Sequence, residues 1–173
     1  MTDNVYKTCI AMLTQRGYNI KENDDEKIIG EMNDNKICIF MLIVPKLNVN
    51  RIQEYIGMAK ALDIIHCVII YGDSVTPVAN KVVLNSNDID IELFKEEELQ
   101  YNITTHVLVP QHIKLNEKET ADFKEKYGTK IPTLYSTDPI SKFYKFNPGD
   151  IIKIIRNKGF IGYRIVKLVG KRK

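Results

Sequence analysis

At 173 residues, with 44% hydrophobic and 27% charged side chains, the chain can bury a real core and hold one large or two small domains, which excludes a disordered or fibrous class. Its longest apolar runs, Ile37–Val44 and Ile64–Tyr71, are of strand length and far short of the roughly 20 residues a membrane span needs; with a polar start that has no basic residue before Lys7, an intracellular, soluble protein without signal peptide or membrane partner is expected. The net charge of +3 is unevenly divided, because Lys and Arg stand 10 against 16 acids in residues 1–100 but 15 against 6 in residues 101–173, giving −6 and +9.

Val5, Cys9, Met12 and Leu13 recur at helical spacing, so Val5–Gln15 is expected to be an amphipathic helix stopping near Gly17. A polar, acidic connector, Lys21–Lys27, follows. Ile37–Val44 is continuously apolar and closed by Pro45, as for a strand covered on both faces. Ile52, Tyr55, Ile56, Ala59 and Leu62 return to helical spacing. Ile64–Tyr71 predicts a second buried strand, with Gly72-Asp73 turning the chain. Thr76-Pro77 supplies a helix start, a capping hydroxyl followed by a proline where no amide hydrogen is missed. Ile89, Ile91 and Leu93 alternate with acids and predict a half-exposed third strand. Strand, helix and strand at short separations make residues 1–101 a small α/β domain.

Residues 102–173 have a different pattern. His106–Val109 predicts a short strand closed by Pro110. Asn116 with Glu119 resembles a capping box opening a helix that ends at Tyr127-Gly128. Asp138-Pro139 starts a short helix reaching about Phe146. Pro148-Gly149 turns into the strand Ile151–Arg156, and Asn157-Lys158-Gly159 returns the chain as Phe160–Val169 in a hairpin. An α+β module with a mixed sheet is expected. The boundary falls near Tyr101–Thr105, with no Gly/Ser/Pro-rich linker.

Reactive chemistry finds little support. Cys9, Cys38 and Cys67 lie far apart in apolar surroundings, as reduced core thiols do. His106 and His112 flank a proline without a Cys or acid at ligand spacing, and His66 lies in an apolar strand, so all three are read as structural. Ser74 and Ser136 lack a glycine elbow, and no glycine-rich phosphate loop occurs. Glu96-Glu97-Glu98 is explained by a helix start. Asp88 and Asp90, read as sharing a strand face, would need a third carboxylate to hold a divalent ion. No catalytic residue, metal or cofactor is assigned. Residues 142–173 carry ten bases and one acid, which points to an acidic protein surface or a phosphate backbone.

The ordered set His106-Val-Leu-Val109-Pro110-Gln-His112, Pro132, Asp138-Pro139, Tyr144, Pro148-Gly149-Asp150, Ile154-Ile155-Arg156 and Tyr163-Arg164-Ile165-Val166 resembles the C-terminal assembly domain of the fifth common subunit of nuclear RNA polymerases, a domain with an archaeal counterpart. A looser match to that family's jaw domain runs through Arg16-Gly17-Tyr18, Tyr55, Val68-Ile69-Ile70, Thr76-Pro77, Ala79, Phe94 and Glu97-Glu98-Leu99, and Asn102–His106 looks like its junction. The family commonly has arginine where Lys142 stands and glycine where Lys145 stands, and its turn between Arg156 and Tyr163 is replaced here by a shorter one.

The resemblance implies a jaw-like N-terminal domain of restriction-endonuclease type followed by a polymerase-assembly domain. Ile37–Val44 contains neither the acid nor the lysine that metal-dependent cleavage needs, so the first domain is expected to be catalytically empty. The implied function is a non-catalytic structural subunit of a multisubunit DNA-dependent RNA polymerase. It would be monomeric within the assembly, docked on the largest subunit and the polymerase core beside downstream duplex DNA. The expected location is the nucleus if the source is cellular, and a virion or host cytoplasm if viral. Arg156 and Arg164 are expected to meet a protein partner; Lys142, Lys145 and Lys158 suit DNA or solvent. The competing classes are a metal-dependent nuclease using Asp88 and Asp90, and a free-standing basic nucleic-acid-binding module.

Overall fold

The computed structural model describes residues 3–156 and 159–169. The chain divides into two compact units, residues 1–101 and 102–173.

The first unit is built on a five-stranded sheet in the order β1-β2-β3-β4-β5. Helix α1 (Asp3–Gln15) leads into the antiparallel meander of β1 (Asn19–Asn23), β2 (Lys27–Met32) and β3 (Asn35–Leu47). Helix α2 (Val49–Ala61) then crosses to β4 (His66–Val75), which lies parallel to β3, and α3 (Pro77–Leu84) crosses to β5 (Asp90–Lys95), parallel to β4.

Period-two alternation assigns the two faces. Cys38, Phe40, Cys67 and Ile69 bury one face with Ile52, Tyr55, Ala59 and Ala79 from α2 and α3. The in-register set Ile28, Ile39 and Val68 belongs to the other face, where α1 lies, and all three are fully buried. Gly30 sits on that face because a Cβ there would come within 3.0 Å of Tyr18 Cβ and 3.4 Å of Leu13 Cδ1. Helix α1 ends as expected at Gly17, which takes φ +89°.

Three expectations for this unit are corrected. Lys21–Lys27 is no connector: residues 21–23 complete β1, and residues 24–26 turn the chain into β2, with Asp24 Oδ1 accepting the amides of Glu26 and Lys27, both at 2.8 Å. β1 is almost wholly exposed, so its side chains are polar and leave no periodic signal. Nor does β3 stop at Pro45 or β4 turn at Gly72-Asp73. Both strands run on, with Lys46 opposite Ser74 and Leu47 opposite Val75. Pro45 cannot donate to the ladder, so the register shifts around Val44 instead. The backbones then close to where a Cβ on Gly72 would lie 3.1 Å from Pro45 Cα.

The second unit holds a mixed four-stranded sheet in the order β6-β8-β9-β7. Its strands are β6 (Gln111–Lys114), β7 (Thr133–Tyr135), β8 (Ile151–Ile155) and β9 (Ile161–Lys167), with helices α4 (Glu117–Tyr127) and α5 (Pro139–Tyr144). β8 pairs antiparallel with both β6 and β9, while β7 runs parallel to β9. On one face Ile152, Ile154, Val166 and Leu134 pack with Ile140 and Phe146 of the α5 region. On the other, Ile151 packs with Leu115 and Phe123 of the α4 region.

The expected helix starts are present. Asn116 accepts the amide of Glu119 at 2.9 Å while Glu119 accepts that of Asn116 at 2.9 Å, and Asp138 Oδ1 accepts the Ile140 amide at 2.9 Å ahead of Pro139. The β8–β9 hairpin forms as expected, although Asn157 and Lys158 lie outside the described residues. The strand expected at His106–Val109 is a turn instead, with the Val109 amide on the His106 carbonyl at 2.9 Å. Pairing begins only at Gln111, beyond Pro110, and Val107 and Leu108 are 80% and 81% exposed. β7, three residues long, carries no pattern that periodicity could detect.

Candidate functional site

The motif residues scattered through residues 102–173 gather around the sheet of the second unit. Asn102 Oδ1 accepts the Thr104 amide at 2.9 Å and its hydroxyl at 2.7 Å. Thr104 in turn hydrogen-bonds the phenol of Tyr144 at the end of α5. Val109 and Ile103 pack on the apolar cluster beside Tyr144. His106 is exposed, its Nδ1 accepting the Leu108 amide at 3.2 Å.

His112 lies half-buried on β6, its Nδ1 donating to the Pro110 carbonyl at 2.7 Å. Burial holds its pKa below the usual 6.5; the Pro110 bond and Asp138 oppose the shift, while Arg164 and Arg156 reinforce it. One imidazole therefore senses three motif side chains that are far apart in sequence.

Pro148-Gly149-Asp150 forms the turn before β8. Gly149 takes φ +95° and donates to the Val166 carbonyl at 2.9 Å. Asp150 accepts the Asn147 amide at 2.8 Å and pairs with Lys114 on β6 at 3.0 Å, so the single acid of residues 142–173 is already engaged.

Tyr163 turns its ring to the α4 face, 4.6 Å from Phe123. A groove of about 510 Å³ lies here, walled by Phe123, Tyr127, Ile131 and Pro132 on one side and by Ile161–Arg164 and Arg156 on the other. No acid lines it. Arg156 is exposed and Arg164 half-buried, and neither forms an ion pair among the described residues.

The lysines are less exposed than their sequence implied. Lys142, in the last turn of α5, and Lys145, just beyond it, are both half-buried. Lys145 adopts the left-handed conformation, φ +54°. A glycine would sit there without strain. Lys158 lies outside the described residues.

In the first unit the suspected metal pair comes apart. Asp88 precedes β5 and pairs with Lys60 at 3.2 Å, so it shares no strand face with Asp90, the first residue of β5. Glu96–Leu99 is a single 3-10 turn in which Glu98 accepts the Lys95 amide at 2.8 Å. His66 is not a core imidazole: it is half-buried and meets Glu92 at 2.6 Å, while Arg16 takes both oxygens of Glu92. Sequence reading passed over Glu92 and Phe123, because an acid in an alternating strand and one aromatic in a charged helix look like surface residues.

The second unit is thus a mixed-sheet module with exposed apolar side chains and with arginines that form no ion pair among the described residues, features of a surface that another protein covers. Comparison with known proteins gives its kind. The family described as RNA polymerase Rpb5, C-terminal domain, matches residues 101–166. A protein of Invertebrate iridescent virus 6, provisionally named DNA-directed RNA polymerase subunit 454R, is 30% identical over 186 residues, covering 96% of this chain and 100% of the viral one. The rpabc1 subunit of DNA-directed RNA polymerases I, II and III of Dictyostelium discoideum is 28% identical over 173 residues, 88% of each chain. The chain belongs to the RNA polymerase Rpb5 family, whose members are structural subunits of multisubunit DNA-directed RNA polymerases serving transcription.

Proposed function

We propose that the chain is a non-catalytic subunit that docks through residues 102–173 on the largest subunit of its polymerase, beside downstream duplex DNA. The observation that carries this reading is the pairing of exposed apolar and cationic groups on that unit. Phe160, Ile161, Leu168 and Val169 are each more than half exposed, next to arginines without carboxylate partners among the described residues. Exposed apolar groups of this kind, with arginine among them, mark a surface covered in the working assembly. Such an interface should bury well above about 1,000 Å².

Residues 1–101 form the jaw-like domain in this reading, with a restriction-endonuclease-like core lacking its chemistry. The order of one helix, a three-stranded antiparallel meander, a crossover helix and a parallel strand supports the architecture. The apolar centre of β3, Ile37–Met41, supports the lack of catalysis. The chain is one copy per assembly and needs no cofactor or metal. It works in the nucleus if cellular, or in the virion or host cytoplasm if viral.

Affinity purification of the tagged chain from its native source tests this. Arg164→Ala should weaken recovery of polymerase subunits, and changing Lys142, Lys145 and Lys158 together should spare it while making open complexes more salt-sensitive. Recovery of no polymerase subunit by the wild-type chain would defeat the proposal.

A further inference from the structure

The sheet of the second unit has a gap in its hydrogen-bond ladder beside the groove. Along a strand, the N–H and C=O of successive residues point to opposite sides. Val166 donates to Asp150 on the β8 side at 2.9 Å, and Ile165 donates to Pro132 on the β7 side at 3.0 Å. Period two therefore sends the N–H and C=O of Tyr163 and Ile161 toward the β7 side as well. β7, however, reaches only Ile165–Lys167.

Pro132 is the reason. The next rung would run from the amide of residue 132 to the Tyr163 carbonyl, and proline has no amide hydrogen. Among the described residues no backbone bond from that side reaches Tyr163 or Ile161. β9 thus keeps an open edge of about one strand-pairing unit, although it is a central strand elsewhere.

We propose that this edge, Ile161–Arg164, is a strand-addition site for an extended acidic segment of another polymerase subunit. This rests on the docking reading above and specifies its chemistry. An added strand would fill the rungs that Pro132 leaves empty, giving affinity through main-chain bonds, while alternate side chains enter the groove. The walls select those side chains: Phe123, Tyr127 and Tyr163 take apolar ones, and Arg156 and Arg164, the only charged residues lining the groove among those described, take carboxylates. A groove whose charges among the described residues are both positive, with no ion pair there, favours an acidic segment.

The test is residue-resolved hydrogen exchange on the full-length chain, free and in the purified polymerase. In the free chain the amides of Ile161 and Tyr163 should exchange on the order of 100-fold faster than those of Gly162 and Arg164, which face β8. In the polymerase all four should be slow. Ile161→Pro removes only an outward amide and should lower incorporation about 10-fold, one main-chain hydrogen bond being worth about that factor. Ile161→Ala keeps the amide and should incorporate nearly normally. Arg156→Glu with Arg164→Glu should also lower incorporation.

Free exchange of the Ile161 and Tyr163 amides inside a polymerase that contains the chain would overturn the proposal. So would protection of those amides in the free chain on adding duplex DNA, which would make the occupant a nucleic acid, or normal incorporation of the double arginine variant. A wild-type chain that never enters the polymerase would instead defeat the docking reading, and this proposal with it.

Discussion

Arg16 at the end of α1 and Glu92 on β5, 76 positions apart, form a two-pronged pair with N–O distances of 2.8 and 2.9 Å. Their side chains are only 3% and 15% exposed, and His66 joins the same carboxylate at 2.6 Å. The pair fastens the end of the helix to the far edge of the sheet, where no apolar contact could specify position as narrowly. Arg16→Ala or Glu92→Ala should each destabilise the first unit by about 3–5 kcal/mol, because each breaks a buried two-pronged ion pair and leaves the remaining charge short of its main counter-charge. The double change Arg16→Met/Glu92→Leu should cost less than either single one. Denaturant unfolding of the four proteins checks this, and additive losses would show that the two residues act independently.

Backbone conformation makes two opposite predictions. A Cβ added at Gly149, where φ is +95°, would meet nothing within 4 Å, so strain alone opposes substitution. Gly149→Val should destabilise the second unit by roughly 1–3 kcal/mol. Lys145 at φ +54° bears the converse strain. Lys145→Gly should stabilise by about 0.5–1 kcal/mol. Melting temperatures should move in opposite directions; parallel movement would refute the argument.

Cys9, Cys38 and Cys67 are fully buried. Desolvation pushes the thiols of Cys9 and Cys38 up to about 12. At pH 8 only about one in ten thousand of either would be thiolate. A thiol reagent should therefore label none of the three in the native protein and all three after unfolding. Rapid labelling of the native chain would show that its core opens readily.

His112 sets a pH dependence. Its folded pKa lies below the 6.5 of the unfolded chain, so between those values the unfolded state binds more protons. Stability from this residue is full above about 6.5 and is lost as pH falls through the folded pKa. His112→Asn should flatten the stability profile on the acid side of 6.5. An unchanged slope in thermal melts between pH 5 and 7 would exclude His112 as its source.

Local chemistry made much of this architecture legible in the sequence. Thr76-Pro77, Asn116 with Glu119, and Asp138-Pro139 start helices because capping needs only neighbouring residues. The run Ile37–Val44 and, from His66 onward, the run Ile64–Tyr71 become strands with buried centres because an apolar stretch of that length between breakers has few other uses. The ordered motifs after His106 carried the family. The errors arose where no local rule applies. β1 is polar because an edge strand faces water, and Pro45 and Gly72 read as stops but sit inside strands held by their neighbours.

Long-range pairing was decided only by tertiary structure. The sequence contains Arg16, Glu92 and His66 without any sign that they meet, since a bidentate ion pair between distant elements leaves no periodic trace. It likewise contains Pro132 and Tyr163, yet the empty rung between them exists only because β7 lies parallel to β9 in one particular register. Composition and motif order settled which family the chain belongs to. The strand register settled where its second unit keeps unpaired backbone groups, because a hydrogen bond is present or missing only once both strands are in place.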